Sequence, residues 1–138
     1  RIIAVGDIHG DYDKLIKVLT AAKLINKKRN WIAKNTALVQ LGDLVDRGDN
    51  SRKILDLMIK LRKQAPYHKS TVYMILGNHE AMNVGGRYDY WTLSDLLSFG
   101  SVKAREEHFS LEGKYGSLIR KEMNATMVVG DSLFVHAG

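Results

Sequence analysis

The sequence contains no cysteine, which excludes a disulfide framework and any thiolate-bound metal. It has a single proline, Pro66, and 12 glycines in 138 residues, too few for a collagenous or low-complexity chain. No apolar run approaches the ~18 residues of a membrane span, so no span is expected. Nor do the first ten residues make a signal peptide, because Asp7 and His9 interrupt their apolar stretch. With no targeting segment in the chain, the default expectation is a cytoplasmic protein. What is present is a globular composition, 45% hydrophobic and 26% charged, with material for one domain over residues 1–138.

Lysine and arginine outnumber acidic residues, 21 against 15, for a formal net charge of +6. The basic residues are spread. Lys27, Lys28 and Arg29 form one short run, and Lys53, Lys60, Arg62 and Lys63 lie along a helical stretch. Such a spread reads as solvated faces. It suits attraction of an anionic substrate, and no nucleic-acid partner is expected.

The chain alternates strand-like and helix-like segments. Ile2 to Val5 reads as a buried strand. Asp11 or Asp13 caps a helix carrying Leu15, Ile16, Leu19 and Ala22 at helical spacing. Thr36 to Leu41 has the pattern of a strand covered on both faces. A second helix starts at Asn50 or Ser51, carries Ile54, Leu55, Met58, Leu61 and Ala65 inward, and ends at Pro66. Thr71 to Leu76 is a third buried strand. Gly85 and Gly86 break the pattern. Thr92 then caps a short helix through Phe99, with Asp95 in its first turn. Gly113 and Gly116 blur the helical period of residues 101–122. Thr126 to Val129 and Ser132 to Val135 flank Gly130-Asp131 as a hairpin. Met58, Met74, Met123 and Met127 read as core, and His68 and His108 as surface. The order strand, helix, strand, helix, strand predicts a parallel α/β sheet whose ligands bind beyond the carboxyl ends of its strands.

Polar, Gly-bracketed runs follow those ends. They are Gly6-Asp7-Ile8-His9-Gly10, Gly42-Asp43-Leu44-Val45-Asp46-Arg47-Gly48, Gly77-Asn78-His79-Glu80 and His136-Ala137-Gly138. Oxygen and imidazole donors without sulfur suit Mn, Fe or Zn. On an extended tail Asp7 and His9 point the same way and can grip one metal. Asp43 can bridge to a second through its two oxygens, with Asn78 and His136 completing that site. Two such ions clamp a phosphoryl group and acidify a bridging water into a nucleophile. His79 should point at the leaving group as general acid, held in its tautomer by Asp46. Arg47 offers a planar fork to phosphate oxygens. Glu80 reads as an anchor of its loop, and Tyr88, Tyr90 and Trp91 as packing.

Taken together and in this order, GDIHG, GDLVDRG and GNHE resemble the phosphoprotein phosphatase family of calcineurin-like metallophosphoesterases, over nearly the whole chain. The resemblance implies an αββα sandwich, two metal ions and direct hydrolysis of phosphomonoesters on phosphoproteins, chiefly at Ser and Thr. It implies Asp7, His9 and Asp43 as ligands of one ion and Asp43, Asn78 and His136 of the other. It also implies His79 and Asp46 as the acid pair, and Arg47 with Asn78 at the phosphate. Ala81-Met82-Asn83-Val84 after GNHE, His-Ala-Gly at the end, and Gly85 to Thr92 are most similar to the Shewanella-like, bacterial-type branch, which leaves phosphotyrosine open as a substrate. Two alternatives stand beside this one. A dinucleoside polyphosphate hydrolase of the same superfamily is favoured by His-Ala-Gly but opposed by Asp46 and Glu80. A non-catalytic scaffold is opposed by the intact motif positions. The resemblance further implies one more metal-binding His and one more phosphate-binding Arg beyond Gly138. Residues 1–138 are therefore expected to be the N-terminal part of a larger catalytic domain, inactive in isolation.

Overall fold

The computed structural model describes residues 1–137, so Gly138, the last residue of the final motif, lies outside the described residues. The elements are β1 (Ile2–Val5), α1 (Tyr12–Ala21), β2 (Ala37–Gln40), α2 (Ser51–Gln64), β3 (Thr71–Ile75), α3 (Asn78–Val84) and α4 (Leu93–Phe99). They continue with α5 (Val102–Phe109), α6 (Lys114–Glu122), β4 (Met123–Asn124), β5 (Thr126–Val129) and β6 (Ser132–Val135). β1 to β4 pair in chain order, all parallel. β5 and β6 form a separate antiparallel pair, with Val129 opposite Ser132 across the Gly130-Asp131 turn. The alternation of short apolar strands with amphipathic helices produces the expected α/β parallel sheet.

The helices form where periodicity and caps place them. Asp11 caps α1 by accepting the Lys14 N–H at 2.9 Å. Leu15 and Leu19 of α1, and Ile54, Leu55, Met58 and Leu61 of α2, are buried with Val5, Leu38, Val72 and Met74 of the sheet. Each such side chain contributes roughly 1.5–3 kcal/mol by leaving water. Pro66 stops α2, and residues Ala65–His68 tighten into a 3₁₀ turn. Leu38 and Val39 are neighbours on opposite faces of β2 and both are fully buried, as a centrally placed parallel strand requires.

Several expectations change. Among the described residues β1 lies at the edge of the four-stranded sheet; Ile2 is 44% exposed, Ala4 is exposed, and only Val5 is buried. Residues 101–122 resolve into α5 and α6, with Gly113 as the cap of α6 and Gly116 inside it. A side chain at either glycine would run into the carbonyl oxygens that close α5, so these glycines permit helix contact rather than break a helix. Met127 is only half-buried. His108 is half-buried among Phe99 and Tyr115 rather than on the surface, and His68 is also partly buried. No helix among the described residues is long and apolar enough to cross a membrane.

Candidate functional site

All four loops after the strands meet. The backbone does the first part of the work. Ile8 and His9 donate their N–H groups to the Asp43 carbonyl at 3.0 and 2.9 Å, which locks the first loop to the second. His9 (φ 47°), Asp43 (54°), Asp46 (67°) and Arg47 (63°) all adopt left-handed backbone. That conformation costs a non-glycine residue about 1–2 kcal/mol, though Asp and His tolerate it better than most. Strain concentrated in one rim marks a place where geometry is held against local preference. It also corrects one expectation. Asp7 and His9 approach each other through a turn at His9, not along an extended tail.

Glu80 holds the third loop. It is fully buried, and its carboxylate accepts the N–H groups of Asp43 (2.8 Å), Leu44 (2.8 Å) and Gly77 (3.0 Å). Burial pushes its carboxyl up, while the three donors favour the charged form. Gly77 is indispensable here, because a Cβ would overlap the Asp43 carboxylate. The anchor expected of Glu80 is thus what its contacts make.

Asp43, Asp7, His9, Asn78 and His136 form one contiguous cluster. The Nε2 atoms of His9 and His136 lie 3.5 and 3.4 Å from Asp43 Oδ2. Asp7 Oδ2 is 3.7 Å from His9 Nε2, and Asn78 Oδ1 is 3.1 Å from His136 Nε2. The other ring nitrogens face carbonyls, His9 Nδ1 that of Val45 at 3.2 Å and His136 Nδ1 that of Leu41 at 2.7 Å. A carbonyl only accepts, so each Nδ1 carries a proton and Nε2 is the nitrogen that faces the cluster. Imidazole and carboxylate donors that converge this closely suit a cation among them. Two donors about 2.0–2.2 Å from one ion lie about 3.0–3.5 Å apart, close to the separations seen. The donor set therefore fits metal ions, and the carbonyl partners orient the imidazoles as outer-shell groups do.

Two details differ from expectation. The two oxygens of Asp43 are not equivalent: Oδ1 accepts the His79 N–H at 3.0 Å, and Oδ2 faces both imidazoles. Asp7 also groups with Asp43 and His136, while a ring nitrogen of His79 lies within the cluster of His9 and Asp43.

His79 is the second residue of α3 and only 2% exposed. Its Nδ1 lies 2.9 Å from Asp46 Oδ2, so the expected pair is assembled and Nε2 is the nitrogen left for other chemistry. Asp46 is 1% exposed and does not pair with its neighbour Arg47. Instead it accepts from Asn83 Nδ2 at 2.8 Å and from Arg105 Nη2 at 3.2 Å. Arg47 is exposed, donates its N–H to the Tyr90 carbonyl at 2.8 Å, and lays its guanidinium over the Tyr90 ring at 5.7 Å. Tyr90 meets the His79 ring edge-on at 5.1 Å. The aromatic segment is thus packing that reaches the site.

Asn83, Arg105 and the carboxylate of Asp95 were not legible as site residues. Asp95 reads as a first-turn acid of α4, but its carboxylate is buried, accepts the Ser51 N–H at 2.8 Å and so caps α2. Burial pushes its carboxyl up, against the hydrogen bond from Ser51 and the charge of Arg105. Arg105 reads as part of a charged helix face. The one signal against that reading is its position four residues before Phe109, on the buried side of α5.

A family model described as calcineurin-like phosphoesterase matches residues 1–138. Shewanella-like protein phosphatase 1 of Plasmodium berghei is 36% identical over 140 residues, covering all of this chain and 39% of its own length. Shewanella-like protein phosphatase 2 of Arabidopsis thaliana is 37% identical over 99 residues, covering 72% of this chain and 25% of that protein. Among solved structures, a cold-active protein-tyrosine phosphatase of a psychrophilic Shewanella superposes with a TM-score of 0.90 at 28% identity, over 99% of this chain and 41% of that one. The chain spans about two-fifths or less of these relatives.

Proposed function

The chain belongs to the calcineurin-like phosphoesterase family, and we propose that its site serves a metal-dependent phosphatase that hydrolyses phosphomonoesters on phosphoproteins. One observation carries the reading: two imidazole nitrogens converge on one carboxylate oxygen, beside a buried histidine–aspartate pair.

Asp7, His9, Asp43, Asn78 and His136 would hold two ions, of the Mn, Fe or Zn type that such donors suit. When bound, ions of this kind neutralise phosphoryl charge and acidify nearby water. The remaining roles belong to side chains. Arg47 is exposed at the rim, and its fork is available to phosphate oxygens. Asn78 opens α3 against His136, where its amide can serve phosphate as well. His79 carries its Nδ1 proton toward Asp46, so a proton on Nε2 can pass to the leaving oxygen. Asp46 stabilises the imidazolium that donates it. A seryl or threonyl alkoxide leaves poorly without that proton, which is what the pair contributes. The phosphatase names of the relatives support the same substrate class, and the tyrosine phosphatase neighbour keeps phosphotyrosine within it.

The test is phosphate release by the full-length protein that carries residues 1–138, supplied with Mn²⁺, from phosphoserine and phosphotyrosine peptides and from diadenosine tetraphosphate. Peptide hydrolysis should dominate, and His79→Ala should lower kcat about 10²–10⁴-fold with metal content kept. Exclusive cleavage of the dinucleotide, or loss of both metals in His79→Ala, would overturn the reading.

A further inference from the structure

Arg105 is a fully buried arginine, among the largest fully buried side chains of the described residues. Its Nη2 donates to Asp46 Oδ1 at 3.2 Å, its Nη1 to Asn83 Oδ1 at 2.6 Å, and its Nε to Asp95 Oδ2 at 3.4 Å. Aromatic rings surround the guanidinium, with centroids at 4.7 Å (Phe109), 5.0 Å (Trp91), 5.5 Å (Phe99) and 5.7 Å (Tyr88). A buried charge is kept only where it is paired and hydrogen-bonded. Here the partners include the carboxylate that faces His79.

The bonds form a closed frame. Asp46 is held at both oxygens, Oδ1 by Arg105 and Oδ2 by His79 and Asn83. Asn83 is itself held from two sides, since it accepts from Arg105 and donates to the His79 carbonyl at 2.9 Å. Asp95 fixes the far end of the guanidinium and the start of α2, and the Ser51 hydroxyl accepts the Asp46 N–H at 3.2 Å. Among the described residues no buried side-chain polar atom lacks a partner. The planar fork of arginine can reach three acceptors in fixed directions, which a lysine ammonium cannot.

We propose that Arg105 is a positioning residue for the reaction: its caged guanidinium fixes the Asp46 carboxylate in the orientation that serves His79 as general acid. Through Tyr88 and Trp91, which stack at 5.4 Å with 8° between their planes, the same cage ties the 85–92 segment to that pair. The proposal rests on the phosphatase reading above and adds a residue that none of the strand-end motifs contains.

The test separates leaving groups. A phosphoserine peptide needs its leaving oxygen protonated, whereas 4-nitrophenyl phosphate releases a stabilised anion and needs little acid help. Arg105→Met should lower kcat on the peptide about 10²–10⁴-fold, the worth of general acid catalysis, with KM little changed. The loss on 4-nitrophenyl phosphate should stay below about tenfold. Metal content should be unchanged, and the ring Nδ1–H resonance of His79 should shift or broaden. Because Arg105→Met leaves two buried carboxylates unpaired, Arg105→Lys is the companion. It keeps the charge, folds, and shows the same selective pattern at smaller amplitude. Equal losses on both esters, loss of metal, or a folded Arg105→Lys protein with no selective loss overturns the proposal. All variants are made in the full-length protein that carries residues 1–138; if its unaltered form hydrolyses neither ester, or His79→Ala is harmless, the phosphatase reading itself fails instead.

Discussion

Asp43 and Asp46 stand three residues apart on one loop, both buried and both at left-handed φ, yet their carboxylates meet opposite surroundings. Asp43 gives Oδ1 to the His79 N–H and leaves Oδ2 facing Nε2 of His9 and His136. Asp46 leaves neither oxygen open, since Arg105 holds one and His79 with Asn83 holds the other. An anionic oxygen flanked by two imidazole nitrogens suits a cation. A saturated carboxylate orients the groups that donate to it. Residue type is the same in both cases, and the donors delivered by the fold decide the role.

The sharpest way to break this contrast is to neutralise each carboxylate in turn. Asp43→Asn should abolish metal binding and phosphate release together, a loss of at least about 10³-fold because the metals are worth several kcal/mol. Asp46→Asn should keep the metal and lose about 10²–10⁴ in kcat. Metal analysis beside turnover measurements checks both, and equal metal loss in the two variants would erase the distinction.

A smaller effect sharpens it. Glu80 supports the Asp43 side only, through three backbone N–H groups. Glu80→Gln turns an amide NH₂ toward one of those donors, and a buried donor left unmatched costs about 1–3 kcal/mol. Chemical denaturation should show that loss, with weaker metal affinity and an undisturbed His79–Asp46 pair.

The smallest effect concerns a third aspartate far from the rim. Asp56 accepts from Tyr115 Oη at 2.7 Å and Lys114 Nζ at 2.6 Å, tying α2 to α6. Burial pushes its carboxyl up, but the bonds from Lys114 and Tyr115 outweigh burial and hold it below the ordinary value of 3.8. The stabilisation is therefore complete above that ordinary value and is lost as pH falls through the lowered one. The pair is about half-exposed, so the loss stays within the roughly 0–1 kcal/mol of exposed ion pairs. Asp56→Asn should flatten the stability curve only in that acid window, as thermal melts at stepped pH would show.

The rim was readable because chemistry and topology largely coincide in the chain. Asp7, His9, Asp43, Asp46, Asn78 and His79 each follow an apolar strand within a few residues, and parallel strands bring those ends together by construction. His136 follows β6 of the separate antiparallel pair, and tertiary packing brings it to the same rim. The Arg105 frame was not readable. Its members come from the second loop, α3, α4 and α5, and Arg105 is 59 residues from Asp46. Charged residues on a helix normally face water, and only the packing of Phe99, Phe109, Tyr88 and Trp91 around the guanidinium reverses that. The edge position of β1 was hidden for a related reason. An apolar run states that a strand is compatible with burial, and neighbour order decides whether both its faces are covered.

The sequence by itself determined the parallel α/β order, the strand-end loops and the identity of the donors clustered there. These follow from periodicity and from residue type at fixed spacing, which are local properties of a chain. The tertiary structure alone decided which oxygen of Asp43 stays open, that Glu80 carries the second and third loops, and that Arg105 belongs with Asp46. Those are matters of direction and desolvation between distant segments, and they exist only once the core has closed around them.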